Sequence, residues 1–375
     1  MTTLKVILDQ LAAPVPGGIG RYTAELSREL VATANGSAVE GLLARSDARI
    51  LSSVESTVPG LSGLSSLRWD RRVLSRAWAQ GIPLDRPGGS VHAPSLFAPV
   101  VRPRGRSDRL VVTIHDVVPW THPGTLTPHG VRWHRAMAGQ AQRWADAIVT
   151  DTHAVAEQLR EFVDFGERVH VIGAAVGSDL RAPVGPVAER RSDALGLPPR
   201  YLLSVGTLEP RKGLDHLIAA LTHVPGDVPL LIAGPDGWGD VSVDALSRAA
   251  GLAPGRVRAL GRIDDADLAL AYERATLFVF PSLAEGFGLP VLEAFQAGTP
   301  VVHSDDPAVA EVAGGAGVTV ARAGPGYPER LATAISAMLE DEAARRLAVA
   351  RGRDRLAAYS WRASAEAVWA LHRSL

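Results

Sequence analysis

Two glutamates eight residues apart, Glu285 and Glu293, bracket the stretch "EGFGLPVLE". Pro290 suits the first position of a helix, and Gly298 suits the left-handed residue just past its end. Residues 290–297 therefore read as a short helix, entered from a glycine loop that follows the strand "LFVFPS". Gly286 and Gly288 let backbone N–H groups come close to a ligand, and a helix N-terminus attracts phosphate. A carboxylate beside a phosphate site repels it unless it grips hydroxyls instead. Two carboxylates flanking such a site point to a sugar on one side and a ribose on the other. A short motif alone leaves a rival open, in which Glu293 complements the helix dipole and Glu285 is solvated.

A second group sits in "VGTLEPRKGLDHLI", where Arg211 and Lys212 occupy a turn between a buried strand and an amphipathic helix. Ligands of open parallel sheets bind at this end of the strands. Of the 39 basic residues only Lys5 and Lys212 are lysines, so a lysine at 212 stands against the habit of the chain. A compact ammonium serves phosphate as a point charge, while a guanidinium supplies a planar fork. Weaker signals lie in "PVPGGIGRY", where Gly18 could admit a diphosphate but the glycine spacing is not that of a dinucleotide fingerprint. "VVTIHD" ends a strand with His115 and Asp116, and "AGPDGW" places Gly234 at another strand end. A histidine at a strand end is more often structural than catalytic. No histidine has metal-ligand spacing.

The elements that must hold these groups alternate between short apolar runs and amphipathic stretches. Runs at 5–9, 40–45, 110–116, 147–151 and 169–173 are followed by runs at 201–206, 229–234, 257–261, 277–282, 300–305 and 317–320. Runs rich in Val, Ile and Leu imply strands buried on both faces, and the alternation implies parallel sheets covered by helices. The proline-rich segment 181–199 reads as a linker that divides the strands into groups of five and six. The fold class is α/β, with two doubly wound domains in tandem. The expected domains are 1–185 and 186–359, with a cleft between the carboxyl ends of the two sheets. The helical segment 356–375 suits either domain.

Composition narrows the function. At 375 residues the chain exceeds one typical core. A formal net charge of −1 disfavours non-specific nucleic-acid binding. The absence of cysteine excludes thiol chemistry and fits a reducing compartment. No signal peptide and no spanning segment are evident, so a cytoplasmic protein is expected. Two Arg-rich stretches, 67–78 and 101–109, remain. The first interleaves Trp69, Val73 and Trp78 with Arg68, Arg71, Arg72 and Arg76. That pattern suits peripheral contact with an anionic membrane surface, although a half-solvated helix with aromatics in the core is the favoured explanation.

Taken together, "GGIGRYTAEL", "VGTLEPRKGLDHLI" and "EGFGLPVLEAFQAGTPVV" resemble glycosyltransferase family 4. Its members are retaining enzymes of the GT-B fold, with two facing Rossmann-like domains. The forms "GGIGRY" and "TLEPRK" look most like bacterial mannosyl- or rhamnosyltransferases of surface-polysaccharide assembly. The resemblance implies that Arg211 and Lys212 bind the donor diphosphate. Glu285 would hold hydroxyls of the transferred sugar, the amides of Gly286, Phe287, Gly288 and Leu289 would meet sugar or phosphate, and Glu293 would bind the ribose. His115 would lie near the reacting centre, and Gly18 would let its loop approach the diphosphate. From its own place at a strand-to-loop junction, Gly234 is expected to line the nucleotide pocket. Helix 360–375 would cross back onto the first domain. No cofactor or metal is implied. The donor would be a nucleoside-diphosphate sugar, GDP-mannose ahead of a UDP-sugar, and the acceptor a saccharide or lipid-linked glycan.

The family mechanism places developing charge on the β-phosphate, and the donor's own phosphate oxygen takes the acceptor's proton. Two departures stand out. Segment 171–179 reads "VIGAAVGSD" where many relatives have an "IPNGVD"-like sequence, and Thr207 stands where many carry arginine. A catalytically silent sugar-nucleotide-binding subunit and a sugar-nucleotide epimerase are the rivals. A pyridoxal-phosphate phosphorylase is disfavoured, because it needs a Schiff-base lysine and the chain has only two lysines.

Overall fold

The computed structural model describes residues 3–13, 17–101, 105, 107–237 and 242–375. Pro14–Pro16 of the "PVPGG" stretch, part of 101–109 and Trp238 of "AGPDGW" lie outside these residues. The chain forms two compact units, one of Met1–Gly177 with Ser360–Leu375 and one of Ser178–Tyr359.

In the first unit the strands are β1 (Thr3–Ile7), β2 (Ala38–Leu43), β3 (Gly63–Ser66), β4 (Ser90–Ala93), β5 (Arg109–Thr113), β6 (Ala147–Thr150) and β7 (Val169–Val171). All pair in parallel in the order β3-β2-β1-β4-β5-β6-β7. The second unit holds β8 (Leu202–Val205), β9 (Leu230–Ala233), β10 (Val257–Gly261), β11 (Leu277–Phe280), β12 (Val301–Ser304) and β13 (Val318–Val320). These are parallel too, in the order β10-β9-β8-β11-β12-β13. Each order reverses direction once, between β1 and β4 and between β8 and β11. In such sheets the crevice at the reversal, beyond the carboxyl ends of the strands, is where ligands bind.

The first sheet has seven strands where five apolar runs were expected. Strand β3, "GLSS", is a half-exposed edge strand, and an edge needs no continuous apolar run. Strand β4, "SVHA", is central, yet its run is broken by His92, which is fully buried. The Pro-rich segment 181–199 is not a plain linker, because it contains the helix Pro186–Leu195. Its proline sits in the first turn, where a missing N–H costs nothing, and Gly196 closes it in the left-handed conformation. The division between units falls after Gly177 rather than at 185. Leu180 is buried, and Gln296 Nε2 donates to its carbonyl at 2.9 Å, which ties this segment to the second unit.

The C-terminal helix Trp361–Ser374 belongs to the first unit and packs on the helix Gly17–Ala32. Its attachment is specific. Trp369 Nε1 donates to Leu30 O at 3.2 Å, Trp361 Nε1 to Val176 O at 3.1 Å, and Ser364 Oγ to Gly173 O at 2.6 Å. Trp369 is only 4% exposed. Trp369→Ala should therefore cost about 3–5 kcal/mol of stability, read as a lower denaturant midpoint for the first unit.

Candidate functional site

At the reversal of the second sheet, β8 and β11 lie side by side, with Leu277 opposite Leu202 and Phe278 opposite Leu203. The chain leaving β8 makes a short 3-10 turn, Pro210–Lys212, and the chain leaving β11 runs through Ser282 to Glu285. Adjacent strands thus deliver the basic pair and the first glutamate to the same edge. Gly213 ends the turn at φ +63°, and a Cβ there would stand 2.4 Å from Pro281 O. The two loops therefore touch through backbone. Leu283 N donates to Arg211 O at 2.7 Å, and Ser282 Oγ lies 3.1 Å from the same carbonyl.

The side chains meet in an ion cluster. Lys212 Nζ donates to Glu285 Oε1 at 2.6 Å, and Arg211 reaches Glu285 Oε2 at 3.1 Å and Ala284 O at 2.9 Å. Arg211 also pairs with Glu209 at 2.8 Å, and Ser282 donates to Glu285 Oε1. The Lys212 ammonium lies 5.5 Å from the centre of the Phe280 ring. Two cations and two carboxylates balance. The Lys212 and Glu285 side chains are only 12% and 9% exposed. Burial alone would raise the Glu285 carboxyl, but Lys212 and Arg211, with the Lys212 and Ser282 hydrogen bonds, bring it down to about 2. Burial lowers the Lys212 ammonium below the ordinary lysine value against the pull of Glu285, and Arg211 adds to the lowering. The depressed Glu285 gives stability that is fully present above its ordinary value of 4.5 and is lost as pH falls toward about 2.

The helix after this loop is Leu289–Ala297, capped by Gly288 at φ +95° and closed by Gly298 at φ +74°. It starts one residue earlier than expected, which makes Pro290 its second residue and puts Glu293 in the second turn. Glu285 is not solvated, contrary to the rival reading, and neither is Glu293. Glu293 is 2% exposed, and Tyr272 Oη donates to its Oε2 at 3.0 Å. The residue lines a cavity of about 250 Å³ together with Arg181, Glu273 and Gln296. Phe287 turns its ring into the protein against Tyr359, so only its backbone is available to a ligand. Gly234 has a packing reason for being glycine, since a Cβ would stand 2.0 Å from Gly206 O.

In the first unit, His115 follows β5 and is held on both sides of its ring. Nδ1 lies 2.6 Å from Asp151 Oδ2, and Nε2 lies 2.8 Å from Pro94 O. Tyr22 packs edge-on at 4.7 Å, backed by Trp361 at 5.4 Å from Tyr22. Burial opposes a charge on the ring, but Asp151, the Pro94 carbonyl and Asp116 raise its pKa above the ordinary histidine value. Gly18 is exposed near the start of the helix Gly17–Ala32, and a Cβ there would meet nothing within 4 Å. Its glycine answers no need inside the protein. Among the described residues no group of three acidic or histidine side chains could hold a metal.

The structure thus brings Arg211, Lys212 and Glu285 together, with Gly286–Leu289 leading from them into the helix. His115 and Gly18 belong to the other unit. Sequence reasoning missed Ser282 and Glu209 around Glu285, Tyr272 on Glu293, and Asp151 on His115. Asp151 left one signal, because it ends an apolar run as Asp116 does in "VVTIHD".

Residues 188–355 match the family model "Glycosyl transferases group 1", and residues 16–179 match "Glycosyltransferase Family 4". The chain is 33% identical over 280 residues to O-antigen chain mannosyltransferase B of Escherichia coli, covering 72% of this chain and 70% of that protein. It is 31% identical over 219 residues to the serotype-specific mannosyltransferase WbdA of Escherichia coli, covering 55% of this chain and 26% of WbdA. A crystal structure of Anabaena HepE with UDP and glucose matches the whole chain along its own full length with a TM-score of 0.75 at 17% identity. That is a likeness of fold.

If Glu285 is the internal counter-ion of the basic pair, removing its charge frees the pair for an anion. Glu285→Gln should bind inorganic pyrophosphate about tenfold more tightly than the parent in calorimetry, because a like charge beside the anion is gone. Weaker binding would mean the carboxylate positions the cations rather than competing for them.

Proposed function

The chain belongs to the glycosyltransferases of group 1 and family 4, and from that premise we propose that it moves mannose from a nucleoside-diphosphate sugar to a saccharide or lipid-linked acceptor in cell-surface polysaccharide synthesis. The transfer retains anomeric configuration and needs no metal. The observation that carries this reading is the buried cluster of Arg211, Lys212 and Glu285 at the strand reversal. Support for mannose comes from the two mannosyltransferase relatives. GDP-mannose is the favoured donor, and the UDP held by HepE makes a UDP-sugar the alternative to be tested beside it.

In this mechanism the donor diphosphate exchanges with the Glu285 carboxylate as partner of Arg211 and Lys212, and Glu285 turns to the sugar hydroxyls. The bond from the sugar's anomeric carbon to the phosphate oxygen breaks while the acceptor oxygen bonds to that carbon from the same face. The acceptor's proton passes to the released phosphate oxygen, so no protein base is needed. Charge grows on the diphosphate as it leaves, and fixed cations in a site with little water stabilise it most at that point. Glu293 holds the ribose, and the amides of Gly286–Leu289 hold sugar or phosphate.

Incubation with a panel of GDP-, UDP-, ADP- and dTDP-sugars should release nucleoside diphosphate from GDP-mannose at the highest rate. Lys212→Ala should lower that rate by about 10²–10³-fold, and a chelator should leave it unchanged. Binding without turnover would support a silent subunit, and a changed sugar nucleotide would support an epimerase.

Peripheral membrane contact is part of the same proposal. Among the described residues no helix is long and apolar enough to cross a membrane. Trp78 is fully buried and donates to Leu84 O, so it serves the core. Trp69 is 44% exposed, next to exposed Arg68, Arg71, Arg72 and Arg76. Vesicles containing anionic lipid should carry the protein upward on flotation at low salt and release it at high salt. No co-migration at low salt would remove the membrane contact.

A further inference from the structure

We infer that His115 and Asp151 form a charged clasp across three strand ends of the first sheet, and that His115 positions this edge rather than transferring a proton. The inference rests on the proposed transfer only for its kinetic consequence. Strands β4, β5 and β6 are neighbours. His115 follows the middle one, Pro94 follows β4, and Asp151 follows β6. The imidazole reaches Pro94 O with Nε2 and Asp151 Oδ2 with Nδ1.

A carbonyl and a carboxylate can only accept hydrogen bonds. Both ring nitrogens must therefore donate, and only the imidazolium has two N–H groups. Asp151 is 5% exposed, and its other oxygen, Oδ1, has no hydrogen-bond partner among the described residues. The imidazolium is then the group that answers its charge. The other titratable groups facing the ring are Asp116, next to it in the chain, and Tyr22 from the helix Gly17–Ala32. Asp116 favours the cation, and Tyr22 stays neutral because burial and then Asp151 raise its hydroxyl well above the ordinary value.

With both N–H groups committed inside the protein, the ring has no proton to offer a substrate and no lone pair to take one. Asp151 and His115 are positioning residues: they fix the loops at the edge where doubly wound sheets bind ligands. The sign follows from the raised pKa. The clasp is intact below the ordinary histidine value and opens as pH rises through the raised one, when Nε2 turns a lone pair toward Pro94 O.

Full-length protein with ¹⁵N-labelled histidine allows the ring charge to be read directly by NMR against pH. His115→Gln identifies the resonance by its loss. His115 should be an imidazolium at pH 7.5, and Asp151→Asn should move its midpoint down by about one unit or more. In the same variant the alkaline fall of kcat for transfer should move to lower pH, with Asp151→Glu restoring part of the shift. A residue that only supported the fold would change the amount of folded enzyme and leave that midpoint in place. A neutral His115 at pH 7.5 in the parent protein overturns the inference, even where Asp151→Asn does not fold. So does an unchanged midpoint in a folded variant. The ring charge is read without any donor, so an imidazolium in a protein that transfers no sugar would sink the proposed function alone.

Discussion

A carboxylate taken out of water must be met by cations or by a proton, and Glu285 is met by two cations. Much of the second unit's local structure follows from that demand. Arg211 and Lys212 must follow the strand next to the one that leads to Glu285, so the strand reversal between β8 and β11 is where the pair is assembled. The two loops have to close to backbone contact, which requires glycine at 213 because Pro281 O fills the place of a side chain. Ser282 and Ser304 fill the polar remainder, Ser282 on Glu285 and Ser304 Oγ on Ser282 O at 2.6 Å. Under the proposed function a donor diphosphate enters this balanced cluster by exchange with the Glu285 carboxylate.

The same demand explains what could be read in the sequence. The strand runs were legible because a parallel sheet covered on both faces needs unbroken apolar residues; β9, β11 and β12 are buried along their whole length, and β8 in all but its last residue. The helix Leu289–Ala297 was legible within one residue because Pro290 and Gly298 act through their own backbone. Strands β3 and β4 were not legible. One needs no apolar run at the sheet edge, and the other is interrupted by His92, whose place depends on the distant C-terminal helix through His372. The helix Pro186–Leu195 was hidden because prolines that flank a helix look, in a linear count, like prolines that forbid one.

The candidate site was legible as a set of residues and not as a set of contacts. The motifs indicated which of Arg211, Lys212, Glu285 and Glu293 to watch. Spacing could not show that Glu285 sits on both cations, because that contact joins residues more than seventy positions apart in sequence. Nor could it show Tyr272 on Glu293, or Asp151 on His115. Strand order selects Asp151 and Glu285, which follow neighbouring strands, whereas Tyr272 comes from the helix Asp265–Arg274, which packs on the helix that carries Glu293. The resemblance to a family supplied roles for individual residues, whereas the fold supplied the groups that hold them.

The two ionic clusters then differ in a way that bears on function. In the second unit a carboxylate side chain partners the cations, and a phosphate offers the same chemistry, so exchange is chemically natural. In the first unit one partner of the imidazolium is the backbone carbonyl of Pro94, which cannot leave without moving the chain. The other is a buried aspartate whose second oxygen has no partner among the described residues to fall back on. A ligand can compete for Lys212 at the cost of turning one side chain, while competing for His115 would require breaking the sheet edge. Under the proposed transfer Arg211, Lys212 and Glu285 change partners during the reaction cycle, whereas His115 and Asp151 keep theirs.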